Sequence, residues 1–350
     1  MTHSFKAAGK IALLASGFAL LTGCVADNEP LGPASDPFGN GDQVAKPDGD
    51  ETPPPIIVVD PNFPDADLPQ PSVFANDLVS PSNLTVFDDS IYWVEDVAGD
   101  FVLKWMHVDG GENFAAAKLD NVPFSTVADD AGLYFGSTKE SVVFASHHGL
   151  EPSVLHNSVS NPLALALTDD YAFWTATNGC VFRGAKEGGP AKVLGCADTA
   201  ATSLVLLEGH AYVASVDGIL YRADLEPGGA FEKILSGEDF GAGFVADSAG
   251  VYWADPANRQ VKHFSFASGV VSPLASAQFE PAAVAQDRFY LYFSTQGDGA
   301  IKRVLKSGGD VDIMNDQQID PGQLVATDEY IYWINEGDSS VMRQLKNFAY

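Results

Sequence analysis

The stretch that decides the fold is Val251-Tyr252-Trp253-Ala254-Asp255, because it is one of seven copies of a single pattern. The others are Ile91-Tyr92-Trp93, Leu133-Tyr134-Phe135, Ala172-Phe173-Trp174, Ala211-Tyr212-Val213, Leu291-Tyr292-Phe293 and Ile331-Tyr332-Trp333. From first aromatic to first aromatic the steps are 42, 39, 39, 40, 40 and 40 residues. A period in this range marks a solenoid, a propeller or an array, and it outranks any local reading.

Working outward from the aromatic run, each unit shows four pieces. An apolar run opens it, such as Leu84-Thr85-Val86-Phe87 or Gln323-Leu324-Val325-Ala326. A turn follows, often acidic, as at Asp129-Asp130, Asp247-Ser248 and Asp287-Arg288; Asp suits tight turns because its carboxylate accepts from a backbone amide two residues on. After the aromatic strand and a polar loop comes an apolar-x-basic strand: Val181-Phe182-Arg183, Leu220-Tyr221-Arg222, Ile301-Lys302-Arg303 and Val341-Met342-Arg343. Glycine turns such as Gly188-Gly189 and Gly308-Gly309 lead into a fourth strand that ends near Pro81, Pro123, Pro162, Pro281 or Pro321.

Four short antiparallel strands per unit describe a propeller blade. The expected fold is therefore all-β, a seven-bladed β-propeller of four-stranded antiparallel blades. Strands buried on both faces between blades read as continuous apolar runs, so the Tyr-Trp pairs are read as inter-blade core and not as a row of ligand-stacking rings. The last unit stops at its third strand, whereas Val73 to Val79 has the pattern of a fourth: Phe74 aligns with Leu274 and Met314, and Val79 with Phe279 and Ile319. An N-terminal strand would thus close the ring and remove an open edge. The recurring Arg183, Arg222, Arg303 and Arg343 are expected to pack and pair within their own blades.

The Tyr-Trp strand, polar loop, apolar-x-Arg strand and glycine turn resemble the YWTD repeats of low-density-lipoprotein-receptor-type propellers, and more broadly bacterial NHL-type propellers, over residues 71–350. The resemblance implies a rigid extracytoplasmic binding platform. The family's Asp two residues after Trp survives as Asp255, with Glu95 and Asn335 as polar relatives in the expected loops between second and third strands.

The flanking sequence supplies an address. Lys6 and Lys10 precede the apolar run Ile11–Leu21, which is too short to span a bilayer as a mature helix, and Leu21-Thr22-Gly23-Cys24 follows. That tetrad resembles the bacterial lipobox, which implies a signal peptide over 1–23 and acyl chains, such as palmitate, on Cys24. More than one chain suffices for stable anchoring. Val25 in place of Asp favours the outer membrane. Residues 24–69 read as an acidic, Pro/Gly-rich disordered tether; between 25 and 69 there are ten acids and one Lys, Lys46. Such a coil spans about 35–40 Å, and only Ile56-Ile57-Val58-Val59 offers it an apolar run. The propeller is assigned to residues 70–350.

Charge narrows the partners. With 19 Lys+Arg against 47 Asp+Glu, nucleic acid and direct binding to an anionic membrane surface are disfavoured, since both need basic patches. Cys180 and Cys196 flank Gly188-Gly189 symmetrically and are expected to form a structural disulfide in an oxidising compartment. His147-His148 reads as a solvated turn. The first-strand runs carry Thr85, Ser125, Thr126, Gln286 and Gln323 but no Asp, Glu, His or Lys, so neither paired carboxylates nor a His-nucleophile constellation is visible. The expectation is a monomeric, non-enzymatic binding or scaffold module in the bacterial cell envelope. It would have no catalytic residue, no metal and no cofactor, and would present a protein- or glycan-binding face near Glu95, Asp255 and Asn335. The alternatives are a divalent-cation-dependent hydrolase or lyase of the gluconolactonase-like propeller type, with calcium on those residues, and a structural component of envelope assembly.

Overall fold

The computed structural model describes residues 69–119, 123–137, 139, 141–147, 152–157 and 160–346. The signal peptide, Cys24, all but the end of the tether and His148 lie outside the described residues.

Twenty-eight strands, and no helix among the described residues, form seven antiparallel sheets of four. Six sheets are consecutive in sequence: blade one spans 82–119, two 123–157, three 162–196, four 201–236, five 244–275 and six 281–315. Blade seven joins Pro321–Ala326, Tyr330–Asn335 and Ser340–Leu345 to the N-terminal strand Ser72–Ala75. Val73 lies opposite Met342 and Ala75 opposite Val341, with Phe74 as the extra residue between them. The strand is shorter than the sequence pattern suggests, so Val79 stands on the connection to blade one.

A β-bulge sits in the outer strand pair of every blade, for example between Val261 and Lys262 and between Ile301 and Lys302. Two residues then oppose one, and the outer strand twists further. Leu274, Met314 and Phe74 are the extra residues in their blades, which is the alignment seen in the sequence.

The aromatic pairs make the seams. Alternate residues of a strand point to opposite faces, so the first aromatic faces one neighbouring blade and the second faces the other. Tyr252 shares a core cluster with Phe293 of blade six, Tyr292 with Trp333 of blade seven, and Tyr332 with Trp93 of blade one. The same rule pairs Tyr92 with Phe135, Tyr134 with Trp174, Phe173 with Val213 and Tyr212 with Trp253. Seven clusters for seven seams is what a closed ring requires. Fully burying one such aromatic stabilises by roughly 1.5–3 kcal/mol.

Two local expectations are corrected by these seams. The third-strand arginines mostly reach beyond their own blades: Arg183 Nη1 donates to Leu225 O at 2.9 Å, Arg303 Nη1 to Lys346 O at 3.2 Å and Arg343 Nη1 to Val108 O at 2.5 Å, each in the next blade. The side chain lies over a tyrosine of its own blade (Tyr171, Tyr290 or Tyr330) and is long enough to cross to the neighbouring carbonyl. Within-blade pairing as expected is kept by Arg222 with Glu232 at 2.8 Å and also by Arg303, whose Nε lies 3.1 Å from Asp312 Oδ2. His147 is a turn residue but is half-buried: its ring stacks on Phe87, Nδ1 lies 2.9 Å from Tyr92 Oη, and Nε2 lies 2.6 Å from Asp129 O.

Cys180 and Cys196 face each other across the third and fourth strands of blade three and form the disulfide. Between blades two and three, Gly184 is required by close approach. A Cβ there would collide with the His156 ring, which is buried and hydrogen-bonded to Gly189 O and Ala185 O at 3.0 Å each.

Candidate functional site

Strand alternation fixes two rims. Turns joining first to second and third to fourth strands share one rim. Loops joining second to third strands, together with the connections between blades, share the other. The second-to-third-strand connections at 98–99, 177–179, 256–259, 296–299 and 336–339 all fall on this second rim, called here the loop rim.

Glu95, Asp255 and Asn335 are brought to that rim, but in blades one, five and seven and not to one point. They occupy the ends of second strands and not the loops beyond, and all three are buried. Each already has partners. Glu95 Oε1 accepts from Trp93 Nε1 at 3.1 Å, and Asn335 Oδ1 accepts from Trp333 Nε1 at 3.0 Å. Residues two apart in a strand share a face, so in blades one and seven the acid or amide at this spacing caps the indole N–H. In blade three Ala176 holds the place, and in blade five Asp255 turns to its own loop; the Trp174 and Trp253 indoles find no acceptor among the described residues.

Asp255 is engaged differently. Its Oδ1 accepts from the Asn258 amide at 2.9 Å, and its Oδ2 accepts from Asn258 Nδ2 at 2.8 Å and pairs with Lys262 Nζ at 2.6 Å. Lys262 also binds Glu238 Oε2 at 2.7 Å. Burial opposes the Asp255 charge, but Lys262 and Asn258 hold the carboxyl below the ordinary carboxylate range; the same two carboxylates raise Lys262 against its own desolvation.

Several polar residues of the first strands latch neighbouring blades, although Thr126 Oγ1 finds no partner among the described residues. Gln323 of blade seven binds both Leu84 N (3.0 Å) and Leu84 O (2.7 Å) of blade one. Gln286 Nε2 donates to Ala246 O at 2.7 Å, and Ser125 Oγ accepts from Leu165 N at 3.2 Å. Asn83, overlooked in the sequence, donates from Nδ2 to Pro123 O at 2.9 Å. No group of three or more His, Cys, Asp or Glu that could hold a metal is found among the described residues.

A sequence reading also passes over the connections on the loop rim. Those leading into blades one, six and seven expose Val79, Phe279 and Ile319. Their shared register was a legible signal, although it belongs to the connection and not to the fourth strand.

No family model matches the chain, and no curated protein matches it. Solved structures do. Virginiamycin B lyase from Staphylococcus aureus aligns with a TM-score of 0.64 at 15% identity, covering 79% of this chain and 99% of that one. A catalytically inactive histidine-to-alanine form of that lyase with quinupristin gives 0.63 at 14%, covering 79% and 99%. The WD40 β-propeller domain of Doa1 gives 0.63 at 11%, covering 80% and 96%. At these identities the likeness shows the fold alone.

Proposed function

We propose that this chain is a lipid-anchored extracytoplasmic propeller that binds a protein or glycan through its loop rim and carries out no catalysis. The observation that carries the reading is where the chain joins the ring. The N-terminal strand starts at Ser72, on the outer edge of blade seven and at the rim of the tight turns. The chain therefore enters the ring at the rim opposite the loops, which leaves the loop rim clear of the entry point. The lipobox-like Leu21-Thr22-Gly23-Cys24 supports a place in the bacterial envelope, and Val25 after it favours the outer membrane.

The competing reading is the hydrolase or lyase. It draws on the fold shared with virginiamycin B lyase, and needs a cation or a catalytic histidine near the channel. What supports the non-enzymatic reading instead is that Ser125, Gln286 and Gln323 of the first strands are engaged in latches. Among the described histidines, His147 and His156 serve inter-blade contacts and His263 stacks on Tyr252 at 4.5 Å. The third reading, a structural part of envelope assembly, shares the same surface.

Photo-crosslinkers placed singly at Asn178, Asp217 and Asp338 on the loop rim, and at Gly188 and Gly308 on the turn rim, test this in intact cells. The expected result is discrete adducts from the loop rim and none from the turn rim. Adducts confined to the turn rim would overturn it.

A further inference from the structure

The loop rim carries an apolar arc over three consecutive blades; Val216, 63% exposed in the loop of blade four, stands apart from it. Val79, Phe279 and Ile319 hold one position in the connections leading into blades one, six and seven, and they are 41%, 53% and 54% exposed. Val97, 45% exposed, follows Asp96, whose amide donates to Val79 O at 3.0 Å. In blades three and four the position is polar and internally satisfied. Ser160 leads into blade three and bonds Thr177 at 3.0 Å; Thr199 leads into blade four and bonds Asp217 at 2.8 Å. Val73, Val154, Val193 and Ile313 are also exposed, but they are fourth-strand residues spread around the outer edge and form no local patch.

The arc is held rigidly. Gly297 N donates to Phe279 O at 3.2 Å and Gly337 N to Ile319 O at 3.1 Å. A Cβ on Gly297 would come within 3.1 Å of Phe279 Cβ, and one on Gly337 within 2.5 Å of Ile319 Cγ2, so both side chains lie flush against loop backbone and present their other side to solvent. The Arg259 guanidinium caps the Phe279 ring at 4.4 Å and donates to Gln278 O. A display fixed before a partner arrives spares the ordering cost of binding.

Acids surround it. Glu280 and Asp320 directly follow Phe279 and Ile319, and Glu336 and Asp338 stand in the adjoining loop; all four residues reach solvent, although the Glu336 carboxyl end is tucked in. The nearby Lys302 is occupied by Asp298 at 2.6 Å and Gln278 at 3.1 Å. The Glu336 carboxyl lies against Gly322, where burial, and then the Asp320 charge, push it above its ordinary range. An apolar partner alone would strip water from these carboxylates and leave them without a counter-charge.

We propose that this arc docks a polypeptide segment carrying alternating apolar and basic side chains, with the apolar ones on Phe279, Ile319 and Val79 and the ammonium or guanidinium groups on Glu280, Asp320 and Glu336. The proposal rests on the binding-module reading and names the class of its partner.

The test measures fluorescence anisotropy of three short labelled peptides, alternating Leu-Lys, Leu-Glu and Ser-Lys, with the full chain. The Leu-Lys peptide binds, and the other two bind about tenfold more weakly or worse. The pair F279S with I319S, and separately E280K with D320K, each weaken Leu-Lys binding about tenfold or more, while circular dichroism at the assay temperature stays that of the parent because none of the four belongs to an inter-blade core cluster. Equal binding of the Leu-Glu or Ser-Lys peptide, unchanged affinity in either double variant, or no binding of any peptide overturns the proposal. Tighter Leu-Lys binding by I56S with V58S also overturns it, because the chain's own tether would then be the occupant. Loop-rim adducts in intact cells alongside any of these failures leave the binding-module reading standing and sink only the arc.

Discussion

Lys346 of blade seven reaches back across a seam to Asp287 of blade six, with Nζ 3.0 Å from Oδ2. The same pair recurs as Lys306 with Asp247 at 2.8 Å and Lys186 with Asp129 at 2.5 Å. In each, the Asp closes its turn by accepting backbone amides, the Lys follows the third strand of the next blade, and the ammonium lies over a tyrosine ring 5.4–5.7 Å away. Where Thr168 or Thr327 replaces the Asp, Leu225 or Val108 replaces the Lys. An unpaired buried ammonium would be costly, so the two positions change together.

The first prediction concerns that staple. Lys346 is almost fully buried, and its removal leaves the Asp287 carboxylate without a cation. K346M should destabilise the ring by about 3 kcal/mol, since breaking one side of a buried pair costs more than the pair contributes. Urea unfolding measures it. The double variant K346M with D287L should recover part of the loss; a double variant less stable than the single one would sink the account.

The second follows from protonation. Burial opposes the charges of Asp247 and Asp287, but Lys306 in one case and Tyr292 with turn amides in the other hold both carboxyls below their ordinary range. A depressed folded pKa contributes stability that is fully present above the unfolded value, about 3.9, and is lost as pH falls through the folded value. Thermal midpoints should be flat from neutrality to about pH 5 with respect to these groups and decline below about pH 4. D287N should show a shallower acid limb. At the alkaline end Tyr134 is pushed up to about 12 by burial and by Asp129, so its phenol stays neutral throughout.

The ring was legible because its determinant is periodic: Tyr252 and its six counterparts repeat at a nearly constant step and need only be counted. Cys180 and Cys196 were legible for a similar reason, lying symmetrically about one turn. The seams were not. Whether Arg183 pairs inside its blade or with Leu225 of the next depends on how far adjacent blades are rotated, and a sequence carries no coordinate for that. Glu95 and Asn335 were singled out because they vary beside a repeat, yet the same spacing lets them cap Trp93 and Trp333. Val79, Phe279 and Ile319 were aligned correctly and placed on the wrong element, because the bulge at Phe74 ends the strand earlier than its apolar pattern does.

The disulfide gives the third prediction. Its loop is short and already closed by hairpin pairing, so C180S with C196S should cost less than the about 3 kcal/mol of the unfolded-chain entropy model. Calorimetry with and without reductant checks it. A loss well above that figure would mean that the hairpin of blade three does not hold without the bond.

The fourth separates binding platform from cation-dependent enzyme. Asp255 Oδ2 is spanned by Lys262 and Asn258, so a calcium ion would have to displace an ammonium 2.6 Å away. Loss of the carboxylate instead strands Lys262 with Glu238 alone and frees the turn at Asn258. D255A should therefore lower the thermal midpoint by an amount equivalent to about 2–3 kcal/mol, whether or not calcium or a chelator is present. E95A should cost less, about 1 kcal/mol, as the Trp93 indole N–H loses its acceptor, and N335A less again, because Trp333 Nε1 keeps Gln318 Oε1 at 2.9 Å. If calcium raises the parent's midpoint and the rise vanishes in D255A, the carboxylate is a ligand and the cation-dependent reading gains the ground the binding platform loses. Identical midpoints in calcium and chelator, with the variant losses unchanged, leave Asp255 as the clamp of its own loop.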